Sequence, residues 1–250
     1  MKKAIILNAG EGKRLRPLTQ NMPKCLLEIG DRTILEHQLF SLEKCGIKTV
    51  ILVLGYKIPM ILEKLRQCSF DLKIRYTLNP IYSRTNTAYS LWLVRDEMNQ
   101  DFLYLNGDVF FHINILKRLL RSRHNTCLAI VRKEVGAEEV KVKLSNGLVT
   151  ELSKDMAPSM ADGEFVGIAK FSRYINDAFI NKLNEIVNEG TLTAFFELAI
   201  RRLLKTYNVW GVDISDLPCI EIDTHEDLED AKRIYLKLMN FNNKIAKMTS

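Results

Sequence analysis

Short apolar runs alternate with helix-like stretches through the first half of this chain, and that alternation limits the folds open to it. A buried strand shows as a brief apolar run bounded by turn residues, whereas an amphipathic helix repeats its apolar positions every three or four residues. The runs typical of strands are 4–7, 49–54, 73–78, 102–105 and 126–131, and the stretches typical of helices are 34–45, 58–67, 87–98 and 113–122. Because consecutive parallel strands need a crossover between them, this order predicts an α/β fold on a doubly wound, mostly parallel, Rossmann-like sheet.

In the second half of the chain, apolar runs are separated by a tight turn, and this pattern predicts an antiparallel hairpin added to a mixed sheet. Asn146-Gly147 suits a tight turn between apolar runs at 140–144 and 148–152. Thr224 and Asp227 form a capping-box pattern before a C-terminal helix that runs from about 228 to 239. The other elements expected here are strands at 165–171 and 208–213 and helices at 175–188 and 193–204. No linker or repeat interrupts the sequence, so we expect one domain over 1–250, with a polar tail at 240–250 that frays.

Composition and charge exclude several classes of protein. An apolar content of 47% is ample for a core, and no apolar run is long enough to cross a bilayer. The N-terminus lacks a signal-peptide pattern, so we expect a cytoplasmic protein with no membrane partner. The net charge is +6, but basic and acidic residues are interleaved, which argues against nucleic acid as a partner. The five cysteines are scattered singly, which favours reduced thiols over a disulfide scaffold or a zinc site.

A glycine-containing loop follows the first strand and has the character of a phosphate cradle. Gly10 and Gly12 allow backbone N–H groups to approach a polyanion, and Arg14 and Lys24 add full positive charge, with Arg16 as a third candidate. The loop is neither a Walker A motif nor a dinucleotide fingerprint, because neither Gly-Lys-Ser/Thr nor a third glycine completes it. Ligands of doubly wound sheets bind at the carboxyl ends of the strands, where the loop, Gly55 and Asp108 all fall.

This loop is also where the chain resembles a known family. Gly10-x-Gly12-x-Arg14-Leu15-x-Pro17-Leu18-Thr19, with Pro23-Lys24 after it, is similar to the signature of the sugar-nucleotidyltransferase superfamily. The resemblance extends from residue 3 to about residue 235. Within 79–91, Asn86-x-x-x-Ser90-Leu91 resembles the bacterial phosphocholine- and phosphonate-type cytidylyltransferases most closely. Asn8 departs from the alanine common in these enzymes, and we expect it to hydrogen-bond the base or ribose.

The resemblance implies a two-carboxylate magnesium site. Asp108 follows Gly107 after a predicted core strand, and Asp223 ends a late Glu-Ile-Asp stretch in which Glu221 and Asp223 share a face opposite Ile222. Without the resemblance, the simplest interpretation is that Asp108 is a turn residue and Asp223 a helix cap. In this family the matching aspartates jointly coordinate Mg²⁺, whose preference is for a few hard oxygen ligands.

The resemblance also assigns roles to other side chains. It implies catalytic roles for Arg14 and Lys24 and acceptor binding by Lys154, Glu164, Gly167 and Tyr89. Asn86 has a local alternative as a helix cap, and the aromatic residues Tyr82, Tyr89 and Trp92 fit either core packing or a wall around a quaternary ammonium. The residues expected to bind nucleotide are Leu7, Asn8, Ala9, Gly10, Glu11, Gly12, Lys13, Arg14, Lys24, Gly55, Asn86, Ser90 and Asp108.

The reaction implied is attack by an acceptor oxygen on the α-phosphorus of CTP, giving a CDP-linked product and pyrophosphate. A phosphate monoester is already largely dianionic at neutral pH, so no Ser-His or Cys-His activating pair is required. Phosphocholine, phosphoethanolamine, aminoethylphosphonate and inositol-1-phosphate all stay open as acceptors. The alternatives are a sugar-1-phosphate nucleotidyltransferase using UTP, dTTP or GTP, and a non-catalytic nucleotide-binding regulator. The sequence does not indicate an oligomeric state.

Overall fold

A computed structural model describes the backbone of residues 1–249 and the side-chain surroundings of residues 1–239. The strands are β1 (Lys3–Asn8), β2 (Glu28–Ile29), β3 (Arg32–Thr33), β4 (Thr49–Leu54), β5 (Lys73–Leu78), β6 (Phe102–Asn106), β7 (Val109–Phe111), β8 (Cys127–Val131), β9 (Lys141–Ser145), β10 (Leu148–Ser153), β11 (Gly163–Phe171), β12 (Trp210–Asp213) and β13 (Cys219–Glu221). The helices are α1 (Ile34–Lys44), α2 (Ile58–Gln67), α3 (Thr87–Leu93), α4 (Asn114–Arg121), α5 (Arg173–Asn188), α6 (Glu197–Leu203) and α7 (His225–Thr249). Helix α7 continues ten residues beyond the end predicted at about 239, so the backbone of 240–249 is helical where the sequence predicted a frayed tail; the side chains of 240–249 and residue 250 lie outside the described part of the chain.

Among the described residues, nine strands form one mixed sheet in the order β5-β4-β1-β6-β11-β8-β12-β10-β9, and β9 also pairs with β11. The prediction of an α/β fold on a mixed sheet is confirmed. The strands β5, β4, β1 and β6 are parallel, as are β8 and β12, but β11 runs antiparallel to both β6 and β8. Fewer neighbouring strands are therefore parallel than the sequence predicted. Only a hairpin, with no crossover helix, lies between β8 and β11, so the chain returns in the opposite direction.

The sheet is covered by helices on both faces. One apolar layer joins α3, α5 and α6 to the sheet through residues such as Leu91, Phe179 and Ile200, all buried. The opposite layer joins α1, α2 and α4 through residues such as Leu39, Ile61 and Leu116. With both faces buried, β1 and β4 are apolar nearly throughout, which is why their bounds were predictable.

The hairpin and the C-terminal helix form by the local chemistry predicted for them. Asn146 and Gly147 adopt φ values of 50° and 85°, the left-handed conformation that a two-residue hairpin turn requires. The Thr224 hydroxyl accepts a hydrogen bond from Asp227 N, and the Asp227 carboxylate accepts one from Thr224 N, which completes the capping box at the start of α7. No described helix combines the length and apolar content that crossing a membrane demands.

A two-stranded sheet that the sequence did not predict positions the late acidic segment. Strand β13 pairs antiparallel with β7, which places Glu221 opposite Val109, and Ile222 N donates to Asp108 O at 3.0 Å. Ile222 is fully buried in a third apolar cluster, beside Leu228 of α7. Burying Ile222 turns both of its acidic neighbours to the other side of the strand, toward Asp108.

Candidate active site

A cleft of about 270 Å³ opens at the carboxyl ends of β1, β5 and β6. It is bounded by the loop after β1, the segment 79–90, the β6–β7 turn, the segment after β10, the start of α6 and the end of β13. Of the residues predicted from the sequence, those that line it are Leu7, Ala9, Gly10, Arg14, Asn86, Ser90, Asp108, Lys154 and Asp223. Two further recesses along the glycine loop, of about 310 and 90 Å³, add Asn8, Glu11, Gly12, Lys13 and Lys24.

The glycine loop presents unpaired backbone donors. Within the described residues, the N–H groups of Gly10, Glu11 and Gly12 have no hydrogen-bond acceptor. Gly12 has a φ of 63°, and its carbonyl accepts a 2.7 Å hydrogen bond from the Thr19 hydroxyl, which fixes the shape of the loop. Successive free N–H groups held in one loop form a concavity that suits an anion.

Lys24 joins the two aspartates that the sequence placed far apart. Its ammonium donates to Asp108 Oδ2 at 2.8 Å and to Asp223 Oδ1 at 2.6 Å, and Arg14 donates to Asp223 Oδ2 at 2.6 Å. Burial opposes the charge on Lys24, but the two carboxylates outweigh it and raise the pKa of Lys24 above its ordinary value. Burial likewise favours the neutral form of Asp223, but Lys24, and then Arg14, hold the pKa of Asp223 below its ordinary value. Lys24 and Asp223 are therefore both charged at neutral pH.

The two carboxylates fit a magnesium ion that is shared with a ligand. Asp108 Oδ1 is buried and has no hydrogen-bond partner, so it is available to a cation in the cleft. No group of three or more His, Cys, Asp or Glu side chains suited to a metal occurs in the described part of the chain. Mg²⁺ needs no such cage, because one or two carboxylates with phosphate and water oxygens complete its shell.

A second polar layer lies behind these aspartates. Asn106 Nδ2 donates to Glu221 Oε1 at 3.4 Å, and the Tyr104 hydroxyl donates to Asn106 Oδ1. Burial, followed by the negative charges of Asp108 and Asp223, raises the pKa of Glu221 well above that of a free glutamate. A cation in the cleft would relieve that repulsion.

The segment 79–90 forms the wall opposite the loop. The Asn79 amide, which is buried, donates to the Thr85 hydroxyl at 2.9 Å and to the Ser90 hydroxyl at 3.2 Å. Asn86 caps α3 by accepting from Thr87 N at 2.9 Å, the local role that the sequence also allowed. Asn86 and Ser90 both line the cleft as well, so the same short segment builds the helix start and one side of the site.

The four residues expected on the acceptor side do not come together. Lys154 lines the cleft with its ammonium 4.6 Å from the centre of the Phe195 ring. Glu164 instead forms a 2.7 Å ion pair with Lys133. Tyr89 stacks on Trp92, its neighbour one turn along α3, and does not line the cleft.

Gly167 and Gly55 support the site without lining the cleft. Gly167 has a φ of 71°, and a Cβ there would lie 2.4 Å from Asn106 Nδ2, so this glycine makes room for the layer behind the aspartates. A Cβ on Gly55 would lie 2.7 Å from Ala9 O, so Gly55 packs beneath the glycine loop. Both glycines are thus required by close approach of other protein groups.

Two further predicted residues turn toward the protein. Asn8 is nearly buried, and its amide donates to Gly107 O at 3.4 Å. Glu11 forms ion pairs with Lys13 at 3.6 Å and with Arg16 at 3.2 Å. Asn8 is thereby directed to the β6–β7 turn, and the charge of Glu11 is balanced inside the loop.

Of the three aromatic residues considered for a wall, only Tyr82 lines the cleft. Several other residues that line it were not assigned from the sequence, namely Asn79, Thr85, Asn106, Phe195, Glu197 and Glu221. Glu197 is the most unusual, because its carboxylate is buried at the first residue of α6. The sequence did contain an indication of its role, because Glu197 is the single charged residue in the otherwise apolar run 194–200. A charged residue within such a run more often belongs to a functional site than to the hydrophobic core.

Comparisons with known proteins agree with this geometry. A family model described as nucleotidyl transferase matches residues 3–157. The chain is 26% identical over 250 residues to CTP:phosphoglutamine cytidylyltransferase of Campylobacter jejuni, which covers 90% of this chain and 97% of the relative. It is 24% identical over 233 residues to choline-phosphate cytidylyltransferase of Streptococcus pneumoniae, covering 93% and 97%.

Solved structures show the same fold. That of CTP:phosphocholine cytidylyltransferase from Streptococcus pneumoniae superposes with a TM-score of 0.79 at 20% identity, covering 94% of this chain and all of the other. That of the inositol-1-phosphate CTP transferase from T. maritima has a TM-score of 0.77 at 20% identity, covering 91% of each chain. The family model spans more than half of the sequence and includes the glycine loop, Lys24 and Asp108. The chain is therefore an enzyme of the nucleotidyl transferase family.

Proposed function

We propose that this enzyme transfers the cytidylyl group of CTP to a phosphate or phosphonate oxygen of a small acceptor and releases pyrophosphate. The observation that carries the proposal is the Lys24 ammonium, held between Asp108 and Asp223 next to the free N–H groups of the glycine loop. A triphosphate in the cleft would meet fixed dipoles, two cations and a pair of metal-binding carboxylates within one small volume. Such an arrangement suits chemistry at the α-phosphorus.

Positioning and charge neutralisation supply the catalysis in this proposal. The N–H groups of Gly10, Glu11 and Gly12 bind the triphosphate, and Arg14 and Lys24 neutralise the charge that builds up on pyrophosphate as it leaves. Lys154, across the cleft, holds the attacking oxygen of the acceptor. No protein base is needed, because a phosphate or phosphonate reaches the site as an anion and attacks directly.

Asp108 and Asp223 would hold Mg²⁺ in the complex with nucleotide. When bound, Mg²⁺ supplies Lewis-acid stabilisation of the phosphate oxygens in the transition state. The Lys24 ammonium contacts one oxygen of each carboxylate. A cation held by these two aspartates would compete with Lys24 for those oxygens, whereas Asp108 Oδ1 has no partner to give up.

The preference for CTP and for a small acceptor rests on the relatives. Cytidylyltransferases named for phosphoglutamine and choline phosphate match nearly the whole chain, and so does a segment of CMP-5'-(3-aminopropyl)phosphonate synthase from Streptomyces rubellomurinus. All three names combine a cytidine nucleotide with a phosphorylated or phosphonate compound. Phosphocholine, phosphoethanolamine, aminoethylphosphonate and inositol-1-phosphate are the acceptors to test.

Pyrophosphate release by the purified protein tests the proposal. CTP, UTP, dTTP, GTP and ATP are each combined with Mg²⁺ and with the four acceptors and glucose-1-phosphate, and the chelated reaction serves as the blank. We expect turnover with CTP and a non-hexose acceptor. Turnover with UTP or dTTP and glucose-1-phosphate would overturn the CTP assignment in favour of sugar activation. Nucleotide binding without pyrophosphate release from any pair would favour a regulator.

A further inference from the structure

Glu197 carries a buried carboxylate for which the protein offers no adequate partner. The residue is 7% exposed, and its Oε2 atom is buried without a hydrogen bond. An ionised carboxylate that loses its hydration without a partner is strongly destabilising. Burial accordingly raises the pKa of Glu197 to about 7, and a hydrogen bond from its own backbone N–H and the more distant charge of Lys154 offset only part of that effect. Because the Glu197 carboxylate destabilises the fold when it is ionised, its presence at this position points to a role in binding a ligand.

The surroundings of Glu197 indicate where that ligand lies. Glu197 stands between the main cleft and a side cavity of about 350 Å³, and it lines both, together with Val140, Lys154 and Phe195. The glycine loop, Asp108 and Asp223 are at the other end of the cleft and do not line the side cavity. Glu197 is therefore on the side away from the proposed triphosphate and metal positions.

Lys154 and Glu197 share both cavities, yet they do not neutralise each other. No ion pair joins them among the described residues, and the Lys154 ammonium instead lies over the Phe195 ring. Side chains with opposite charges that line one cavity without pairing are complementary to a ligand that carries both charges. A short molecule with an anionic end and a cationic end would satisfy each of them.

We propose that the side cavity receives a zwitterionic acceptor, an aminoalkyl phosphate or phosphonate, and that Glu197 binds its cationic nitrogen while Lys154 holds the anionic group. This inference rests on the proposed function, since it names the acceptor class of that same reaction. Phe195, partly exposed and shared by both cavities, gives the alkyl chain an apolar surface. Acceptors without a positive charge, such as inositol-1-phosphate and glucose-1-phosphate, would leave the Glu197 carboxylate unpaired and be rejected.

The test compares two acceptors of equal length, aminoethyl phosphate and hydroxyethyl phosphate, with CTP and Mg²⁺. We expect wild-type kcat/KM to favour the amine at least about tenfold, and Glu197→Gln to lower kcat/KM for the amine roughly 10- to 100-fold, the range for a hydrogen bond to a charged group. The hydroxyl compound should change far less. Glu189→Gln is the matched control, because Glu189 is exposed, pairs with Arg202 and lines neither cavity, and it should leave the preference unchanged.

The outcomes separate this inference from the proposed function. Equal kcat/KM for the two acceptors, or a preference that survives in Glu197→Gln, would overturn the role of Glu197 and leave cytidylyl transfer standing. Turnover with CTP and inositol-1-phosphate but with neither ethyl compound would do the same. Where no acceptor supports turnover, the proposed function fails, and calorimetric titration with the two ethyl compounds still decides the inference. Equal affinities overturn it, and tighter binding of the amine, lost in Glu197→Gln, supports it.

Discussion

The Lys24 ammonium lies 2.6 Å from Asp223 Oδ1, although the two residues are near opposite ends of the chain. The β7–β13 pairing makes this contact possible by bringing Asp223 beside Asp108, which Lys24 also contacts. Lys24 thus bridges the two carboxylates that fit Mg²⁺, and Arg14 pairs with Asp223 as well. These contacts stabilise the site and would compete with a metal ion for the same oxygens.

Replacing Lys24 by methionine should reduce turnover by two to three orders of magnitude, because about this much is lost when one preorganised stabiliser of transition-state charge is removed. The measurement is pyrophosphate release at saturating CTP and Mg²⁺. Lys48→Met is the control, since Lys48 is an exposed lysine with a comparable 2.6 Å ion pair to Asp71. Near-normal turnover of Lys24→Met would remove Lys24 from the catalytic machinery.

Asp108→Asn and Asp223→Asn should each abolish turnover while leaving the fold intact, because asparagine keeps the shape of the side chain but is a poor ligand for Mg²⁺. Circular dichroism checks the fold, and pyrophosphate release checks the activity. Asp216→Asn serves as the comparison, because Asp216 pairs with Arg118 outside the cleft. Wild-type turnover in either site variant would contradict the two-carboxylate site.

Lys24→Met should also make the nucleotide-free protein responsive to Mg²⁺. The substitution leaves Asp108 and Asp223 without their shared cation, so the variant should be less stable than wild type in chelator. Millimolar Mg²⁺ should then raise the melting temperature of the variant more than that of wild type, because no ammonium competes for the carboxylates. Equal shifts in both proteins would mean that Lys24 and the metal do not share these oxygens.

The glycine loop and the strand that leads into it were predictable from local sequence, because a strand buried on both faces is apolar nearly throughout. The close placement of Asp108 and Asp223, which both contact Lys24, was not predictable in this way. It depends on a three-residue strand, β13, which is too short to show a pattern of its own. The family resemblance, rather than any periodicity, suggested that pair.

The acceptor side was less predictable, because its residues come from separate elements. The sequence left Tyr89 open to core packing or to a wall around an ammonium group, and in the structure it stacks on Trp92, whose indole donates to Asn184 of α5 at 2.9 Å. The isolation of Glu197 in an apolar run marks it as unusual, but the cavity that it faces depends on how α6 packs against the rest of the fold. Where side chains meet across the fold, sequence spacing carries little information.

Gly167→Ala should destabilise the protein more than a positive φ alone explains. Both Gly167 and Gly190 have left-handed φ values, 71° and 75°, but a Cβ would meet the Asn106 side chain only at Gly167. We expect Gly190→Ala to cost about 1 kcal/mol in unfolding free energy and Gly167→Ala about 1–3 kcal/mol more, measured by urea denaturation. Activity should fall only in Gly167→Ala, because Asn106 contacts Glu221 behind the aspartates. Equal losses of stability in the two variants would show that strand β11 around Gly167 adapts freely.

Glu197→Gln should stabilise the ligand-free protein at alkaline pH but much less at acidic pH. Burial raises the pKa of Glu197 from 4.5 in the unfolded chain to about 7 in the folded protein. Between these values the folded protein holds the proton more tightly, so the wild-type free energy of unfolding falls as pH rises through this window. Glutamine does not titrate. The advantage of the variant should therefore grow by about 2 kcal/mol between about pH 5 and about pH 8.

Urea denaturation at both pH values measures this difference, and the charged groups around Glu197 decide how to interpret it. Lys154, Asp155 and Arg201 line the same side cavity, and Tyr104 lies near the carboxylate. These groups are common to both proteins, so their own titration largely cancels in the comparison. Glu189→Gln is the control, because Glu189 is exposed, pairs with Arg202 and has a lowered pKa, and it should give no gain at alkaline pH. An advantage of Glu197→Gln that does not change with pH would mean that the carboxylate finds a partner or stays hydrated. In that case the cavity would hold no unpaired charge for an acceptor to neutralise.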